Sequence, residues 1–297
     1  MARTDPRDAV VARLLRMMEA AAAGGAELVV FPELALTTFF PRWTIDNAAE
    51  LDAFFETQMP GAATQPLFDA ARTLGVGFCL GFAERVSDEG RTRRFNTSIL
   101  VGKDGREIGR YRKIHLPGEA EPDPALPFQH LEKRYFETGN LGFPVWRAFG
   151  GVLGMAICND RRWSETYRVM ALQGAEMIVL GYNTPLHSPE APEHDPLCAF
   201  HNRIVMQAGA YQNGCWVVGV AKAGCEEGVD QLGDSMIVAP SGEVVAKAQT
   251  LGDEIVLASC DLSLTESYKN TIFNFAAHRE PRAYRLIVER KGAVPPP

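Results

Sequence analysis

A chain of 297 residues, 46% of them hydrophobic and 23% charged, is long enough to bury a large core, and no Pro/Ser-rich linker divides it. The formal net charge is -7 with basic residues scattered along the chain, which argues against a nucleic-acid surface, since that needs clustered cations. There is no apolar run near membrane-span length and no basic segment leading into an apolar one at the start, so a cytoplasmic protein free of nucleic acid and membrane is expected.

Asp5 reads as a helix N-cap with Pro6 at the first helical position; Val10, Leu14, Met17, Met18 and Ala21 then share one face, and Gly24-Gly25 ends the helix. Leu28-Val29-Val30-Phe31 is apolar without alternation, the mark of a strand buried on both faces. Pro32 stops its ladder, so Glu33 sits at the carboxyl end. A helix over residues 66–74 leads to strands over 77–83 and 95–101, and Gly102-Lys103-Asp104-Gly105 reads as a hairpin turn into 106–112. That strand runs on through Tyr111-Arg112-Lys113-Ile114-His115 to a closing Pro117, leaving Lys113 near its end.

The apolar run 151–157 delivers Cys158 into Asn159-Asp160-Arg161-Arg162-Trp163 and then into a helix over 164–173. A thiol on such a strand-to-helix turn is held exposed beside backbone N–H groups that can face whatever bonds to it. The chain continues with a strand at 176–180, a long loop, a helix at 200–212, a strand at 215–220, and strands at 235–239 and 254–260 flanking Pro240-Ser241-Gly242. Helices alternating with strands indicate layered α/β packing, in one sheet or two. A single domain over 1–290 and a mobile Pro-rich tail over 291–297 complete the reading.

Taken singly, Cys158 passes for a buried structural thiol, and Glu33 with Lys113 for an ordinary ion pair. Together they are chemically complementary. A thiol is mostly protonated at neutral pH, so an attacking sulfur needs a base or a cation nearby. Glu33 is the candidate base, and Lys113, with the Asn159 backbone N–H, the candidate partner for an oxyanion.

Glu33 after Phe-Pro, Lys113 in Tyr-Arg-Lys-Ile-His and Cys158 in Ile-Cys-Asn-Asp-Arg-Arg-Trp resemble the Glu-Lys-Cys triad of the nitrilase superfamily. Longer stretches at 32–43, 94–98, 127–136 and 181–185 resemble the N-carbamoyl-D-amino acid hydrolases, and the likeness runs from about Asp8 to Tyr284. The resemblance implies a four-layer α-β-β-α sandwich, no cofactor, and a homo-oligomer of two or four chains. It also implies hydrolysis of a small N-carbamoyl-D-amino acid to the amino acid, ammonia and carbon dioxide through a carbamoyl group on Cys158. By the same resemblance Glu132 orients the substrate nitrogen and supports Lys113, and His130 hydrogen-bonds near it. Asn159, Asn183 and Thr184 lie near the substrate, while His115 and His201 hold the hydrogen-bond network.

Arg161 and Arg162 follow the nucleophile, and a guanidinium presents a planar fork suited to a carboxylate. One of the two is expected to bind an acid substrate, and which one stays open; the plain alternative is that one of them simply pairs with Asp160 or Glu165. A metal site is not expected, because His194, Asp195 and His201 lack the spacing that wraps an ion. Cysteines 79, 158, 198, 215, 225 and 260 show no paired spacing and read as reduced thiols. Two other readings stay open: a different thiol amidase or nitrilase acting on an acid, and a non-enzymatic protein keeping the fold.

One departure from the family stands out. Its members open with an apolar strand before the first helix, and here the chain starts almost at the helix. Unpaired backbone and an uncovered core edge are expected from that, unless the fold compensates or the start codon lies upstream.

Overall fold

The computed structural model describes residues 1–296. Helix α1 (Arg7–Ala23) buries Val10, Leu14, Met18 and Ala21, the stripe expected from the spacing. Its start differs from the expected one. Pro6 is the N-cap, with no side-chain cap bond, and the Asp5 carboxylate accepts from the Ala2 N–H instead.

Two sheets follow. In the first, β1 (Leu28–Val30) lies parallel to β3 (Gly77–Asp88), which continues antiparallel into β4 (Arg91–Val101) and β5 (Glu107–Arg112). A two-residue strand β2 (Phe55–Glu56), just after the short helix α2 (Ala48–Asp52), pairs with the far end of β3. The β3–β4 hairpin is longer than expected because both strands run on past the core through Arg85–Asp88 and Arg91–Arg94 as a partly exposed ribbon. Helix α3 (Gln65–Leu74) joins α1 over this sheet, and Leu67, Phe68 and Ala71 meet Phe78, Leu80 and Ile99.

The second sheet has the order β13-β12-β9-β8-β7-β6. Its middle is parallel, with β7 (Gly151–Ile157), β8 (Met177–Tyr182) and β9 (Trp216–Ala221) in sequence. Antiparallel strands β6 (Val145–Ala148) on one side and β12 (Met236–Val238) with β13 (Val244–Lys247) on the other complete it. Helices α5 (Ser164–Leu172) and α6 (Cys198–Asn213) pack Tyr167, Met170, Met206 and Ala210 against it. One core joins the inner faces of the sheets, Cys79, Leu100 and Tyr111 from the first with Met155, Ile178 and Val217 from the second. The layers are therefore helix, sheet, sheet, helix, which settles the choice between one sheet and two. A hairpin of β10 (Ala223–Glu226) and β11 (Val229–Leu232) stands apart. The short helix α4 (Glu132–Tyr135) closes the loop after β5.

Two segments depart from the sequence reading. Residues 254–260 form no strand: the chain there has no regular structure and belongs to no ladder. The described residues ahead of α1 contain no strand either, and the outer edge of β1 has no neighbour. At the far end, helix α9 (Arg285–Glu289) is followed by residues without regular structure, and Pro297 of the expected tail lies outside the described residues. None of the six cysteines is in a disulfide.

Candidate active site

Glu33 and Cys158 stand where apolar strands give out, and Lys113 just past the basic-aromatic strand β5. β1 ends one residue before Phe31-Pro32, and Glu33 turns inward, 1% exposed, with Leu34 after it at φ 47°. Gly181 at the end of β8 lies flat against this turn, where a Cβ would come within 2.4 Å of the Glu33 nitrogen. The missing side chain is what lets the second sheet approach the base. Lys113 is the first residue past β5 and is fully buried, as is Glu132 at the start of α4.

Lys113 Nζ donates to Glu33 Oε1 and to Glu132 Oε1, both at 2.7 Å. Asn96 on β4 donates from Nδ2 to the same two carboxylates, at 2.8 Å to Glu33 and 3.3 Å to Glu132. Two carboxylates and one ammonium in a dry site leave a surplus negative charge. Burial pushes the Glu132 carboxyl up to about 7, against the pull of Lys113. Burial alone would lower the Lys113 pKa, but the charges of Cys158, Glu132 and Glu33 outweigh it and raise it, so the ammonium stays charged. Glu33 Oε2 is buried with no hydrogen-bond partner, an acceptor left free on the base.

Cys158 follows β7 at φ 48°, the left-handed region in which a side chain costs roughly 1–3 kcal/mol. Three contacts hold that turn. Arg161 Nη1 donates to the Cys158 carbonyl at 2.7 Å, Asp160 Oδ2 accepts the Ile157 N–H at 3.0 Å, and the same oxygen accepts the Tyr111 hydroxyl at 2.7 Å. The thiol is 4% exposed and donates weakly to the Asn183 carbonyl at 3.5 Å. Burial, then the charge of Glu33, raises its pKa, while Lys113 and Arg161 pull it down. The resting sulfur is therefore a thiol beside a base, with two cations positioned to stabilise the anion it becomes.

The structure separates the two arginines. Arg161 is buried and its donors are used: Nε to Asn202 at 3.1 Å, Nη2 to Thr184 Oγ1 at 2.9 Å, Nη1 to the Cys158 carbonyl, with the guanidinium 4.3 Å over the Tyr182 ring. Arg162 keeps part of its side chain in solvent, yet protein crowds the guanidinium enough that burial, then the charge of Arg161, lowers its pKa; among the described residues its side chain bonds only to Asn159 Oδ1, at 3.3 Å. Among the described residues neither pairs with Asp160 or Glu165, which disposes of the plain alternative; Asp160 is already committed to Tyr111, Ile157 and His115.

Asn159 Nδ2 donates to the His115 carbonyl at 3.2 Å, and the His115 Nδ1 lies 2.8 Å from Asp160, its ring stacked 5.0 Å from Trp163. His130 makes no side-chain hydrogen bond among the described residues and packs against Phe39 instead, a correction to its expected bond near Glu132. Screening from solvent, then the cations Lys113, Arg162 and Arg42, lower its pKa to about 3, which keeps the ring neutral. His201 is also corrected. It lies exposed on α6 against His194 and Phe200 and shares no hydrogen bond with the site. Among the described residues no group of three or more His, Cys, Asp and Glu is placed to hold a metal ion.

Several supporting residues escaped the sequence reading. Asn96 interrupts the apolar run of β4, a polar residue at a core position. Asp160 and Asn202 are buried polar groups whose partners are distant in the chain. Arg42 donates to the Glu226 carbonyl at 3.1 Å and to Asn183 Oδ1 at 3.3 Å, while Glu226 accepts from Lys222 at 2.9 Å and from the Phe39 N–H at 2.8 Å. This buried cluster braces the loop after Glu33 and the residue that faces the thiol.

A family model described as carbon-nitrogen hydrolase matches residues 4–270. The chain is 31% identical over 272 residues to a protein of Pyrococcus abyssi named nitrilase, covering 91% of each. It is also 31% identical to an Arabidopsis thaliana N-carbamoylputrescine amidase, covering 95% of this chain and 91% of that one. A citrullinase of Francisella tularensis is 27% identical, over 94% of this chain and 93% of the relative. Among solved structures, a carbon-nitrogen hydrolase from Helicobacter pylori superposes with a TM-score of 0.82 at 24% identity, over 96% of this chain and 94% of that one, which bears on the fold.

Proposed function

Because the chain belongs to the carbon-nitrogen hydrolase family, we propose that it hydrolyses N-carbamoyl-D-amino acids to the D-amino acid, ammonia and carbon dioxide. Glu33 Oε2 takes the thiol proton while Cys158 Sγ bonds to the ureido carbonyl carbon. The oxygen becomes an anion facing Lys113 Nζ and the Asn159 N–H. A ureido carbonyl is deactivated by two nitrogen lone pairs, so this charge stabilisation carries much of the barrier reduction. The C–N bond to the terminal nitrogen then breaks as Glu33 hands it the proton, and ammonia leaves a carbamoyl thioester. Water, deprotonated by Glu33, attacks that carbon, the C–S bond breaks, and the N-carboxy amino acid released loses carbon dioxide without the enzyme.

Arg162 carries the substrate assignment: its side chain stays partly exposed three residues beyond Asn159 and, among the described residues, bonds to Asn159 Oδ1 alone. A planar cation held by a single hydrogen bond so close in the chain to Cys158 suits an α-carboxylate. Of the relatives' named substrates, N-carbamoylputrescine is an amine that offers no such group, whereas citrulline is a ureido compound that does carry an α-carboxylate. The D configuration rests on the stretches at 32–43, 127–136 and 181–185 quoted above.

The test is ammonia release from matched D and L N-carbamoyl amino acids and from an N-carbamoyl amine lacking the carboxylate. The D acid should turn over fastest, and Arg162→Gln should raise its KM at least tenfold while leaving the amine unchanged. Equal rates on the acid and the amine in the unaltered protein would overturn the proposal.

A further inference from the structure

The base and the nucleophile stand on different sheets. Glu33 follows β1 of the first sheet, and the loop after it is tied back there by the Ala35 N–H, which donates to the Gly81 carbonyl at 2.8 Å. Cys158 follows β7 of the second sheet, and the Asn183 carbonyl, just past the end of β8, lies 3.5 Å from its sulfur. Proton transfer between the two needs hydrogen-bond reach, so the sheets must be fixed against each other at this point.

Three buried charges outside the triad span that gap. Lys222 extends the pairing of β8 with β9, its N–H donating to the Tyr182 carbonyl at 3.0 Å. From there Nζ crosses to the loop after Glu33 and donates to the Thr37 carbonyl at 2.5 Å, and also to Glu226 Oε1 at 2.9 Å. Glu226, at the end of β10, accepts the Phe39 N–H through its other oxygen at 2.8 Å. Arg42 reaches the opposite way, from the loop to the Glu226 carbonyl and to Asn183 Oδ1. The bonds to Thr37 and Phe39 and those from Arg42 therefore run between the loop that carries the base and the chain that follows β8 and β9.

Stability alone is a poor reason for this construction. Apolar residues of similar volume hold a fold as well as a buried ion pair does, without the cost of drying the charges. Charged groups with several bonds each supply fixed direction instead. Burial lowers the Lys222 pKa, and the charges of Glu226 and of Glu33 oppose that, so the ammonium feels the base as well as its own partner.

We propose that Lys222 and Glu226 are positioning residues, a charged cross-tie between the sheets that sets the distance from the Glu33 carboxylate to the Cys158 sulfur. This rests on Glu33 acting as base toward Cys158, as proposed above, and not on the choice of substrate. A misplacement of about 1 Å between reacting groups can cost roughly a hundredfold in rate.

The test compares Lys222→Met with the double variant Lys222→Met/Glu226→Leu. The single variant leaves Glu226 ionised without its ammonium and should melt at a lower temperature. The double variant removes one charge of each sign and should recover part of that loss. In both, kcat should fall roughly tenfold to a hundredfold with KM little changed, because neither restores the tie. A kcat that recovers along with the melting temperature, or is unchanged in either variant, would overturn the inference, since the pair would then serve the fold alone.

Iodoacetamide labelling of Cys158 reads the same distance without substrate. Burial, then the charges of Glu33 and Glu132, raise the thiol pKa, and those of Lys113 and Arg161 lower it. The double variant keeps all four groups, so its labelling profile should move to lower pH as Glu33 draws back. A profile that stays in place or moves to higher pH would overturn the inference. That readout stands even if the unaltered protein hydrolyses no N-carbamoyl amino acid, which would be the separate failure of the substrate assignment.

Discussion

Asp160 accepts the Tyr111 hydroxyl at 2.7 Å and so fixes the turn that carries Cys158 to the strand that ends in Lys113. Its other oxygen takes the His115 N–H at 3.0 Å and faces the His115 ring at 2.8 Å. One buried carboxylate thus sets the spacing between nucleophile and cation. Asp160→Asn preserves size but turns a donor toward donors, and turnover should fall at least tenfold in protein that still melts cooperatively. Tyr111→Phe removes a single bond and should cost about 1 kcal/mol in thermal or urea denaturation, with a smaller loss of rate.

Lys113→Met should lower kcat by about 10²–10³, the usual cost of losing an oxyanion partner. It should also destabilise the fold by about 3–5 kcal/mol, because Glu33 and Glu132 then face each other without their shared cation. Adding Glu132→Gln should restore much of the stability and none of the rate. Recovery of both in the double variant would show Lys113 to be structural only.

Beyond the effect of burial, the charge of Glu33 raises the pKa of the Cys158 thiol, whose proton we propose it accepts. Glu33→Gln should therefore abolish ammonia release yet move iodoacetamide labelling of Cys158 to lower pH. A labelling profile displaced to higher pH would contradict that electrostatic assignment.

His130 titrates at about 3 in the fold against an ordinary value near 6.5. Between those values the unfolded chain binds the extra proton, so stability is fully present above pH 6.5 and is lost as the pH falls toward 3. The slope from this residue is at most about 1.4 kcal/mol per pH unit. His130→Gln should flatten the unfolding free energy over that window. An unchanged slope would mean that His130 is solvated and ordinary.

Leu286, Ile287 and Val288 on α9 are 55%, 57% and 85% exposed, an apolar run on a surface helix. We propose this helix as a subunit contact of a homo-oligomer. Val288→Asp should shift light-scattering mass to the single chain, and a monomeric unaltered protein would refute the proposal.

Glu33 and Cys158 were legible because each breaks a local rule, a charge or a thiol ending an apolar run where a turn residue would ordinarily stand, and Lys113 because it closes a basic-aromatic strand ahead of Pro117. α1 was legible for the opposite reason, since its stripe obeys the 3.6-residue period. Residues 254–260 have every local mark of a strand and form none, because a strand requires a neighbour and no sequence pattern supplies one. The roles of Asn96 and Asp160 arise from contacts across 63 and 49 residues of chain, and local composition cannot foresee them. The two arginines looked interchangeable in the sequence; burial alone separated them.

That separation bears on how such a protein can change. Arg161 is mortared into the nucleophile's support, so replacing it would damage the catalyst itself. Arg162 hangs beside the same sulfur with almost nothing built on it. A change at Arg162 would therefore leave the contacts that hold the Cys158 turn in place, so selectivity, if it resides there as proposed, can drift without touching that turn.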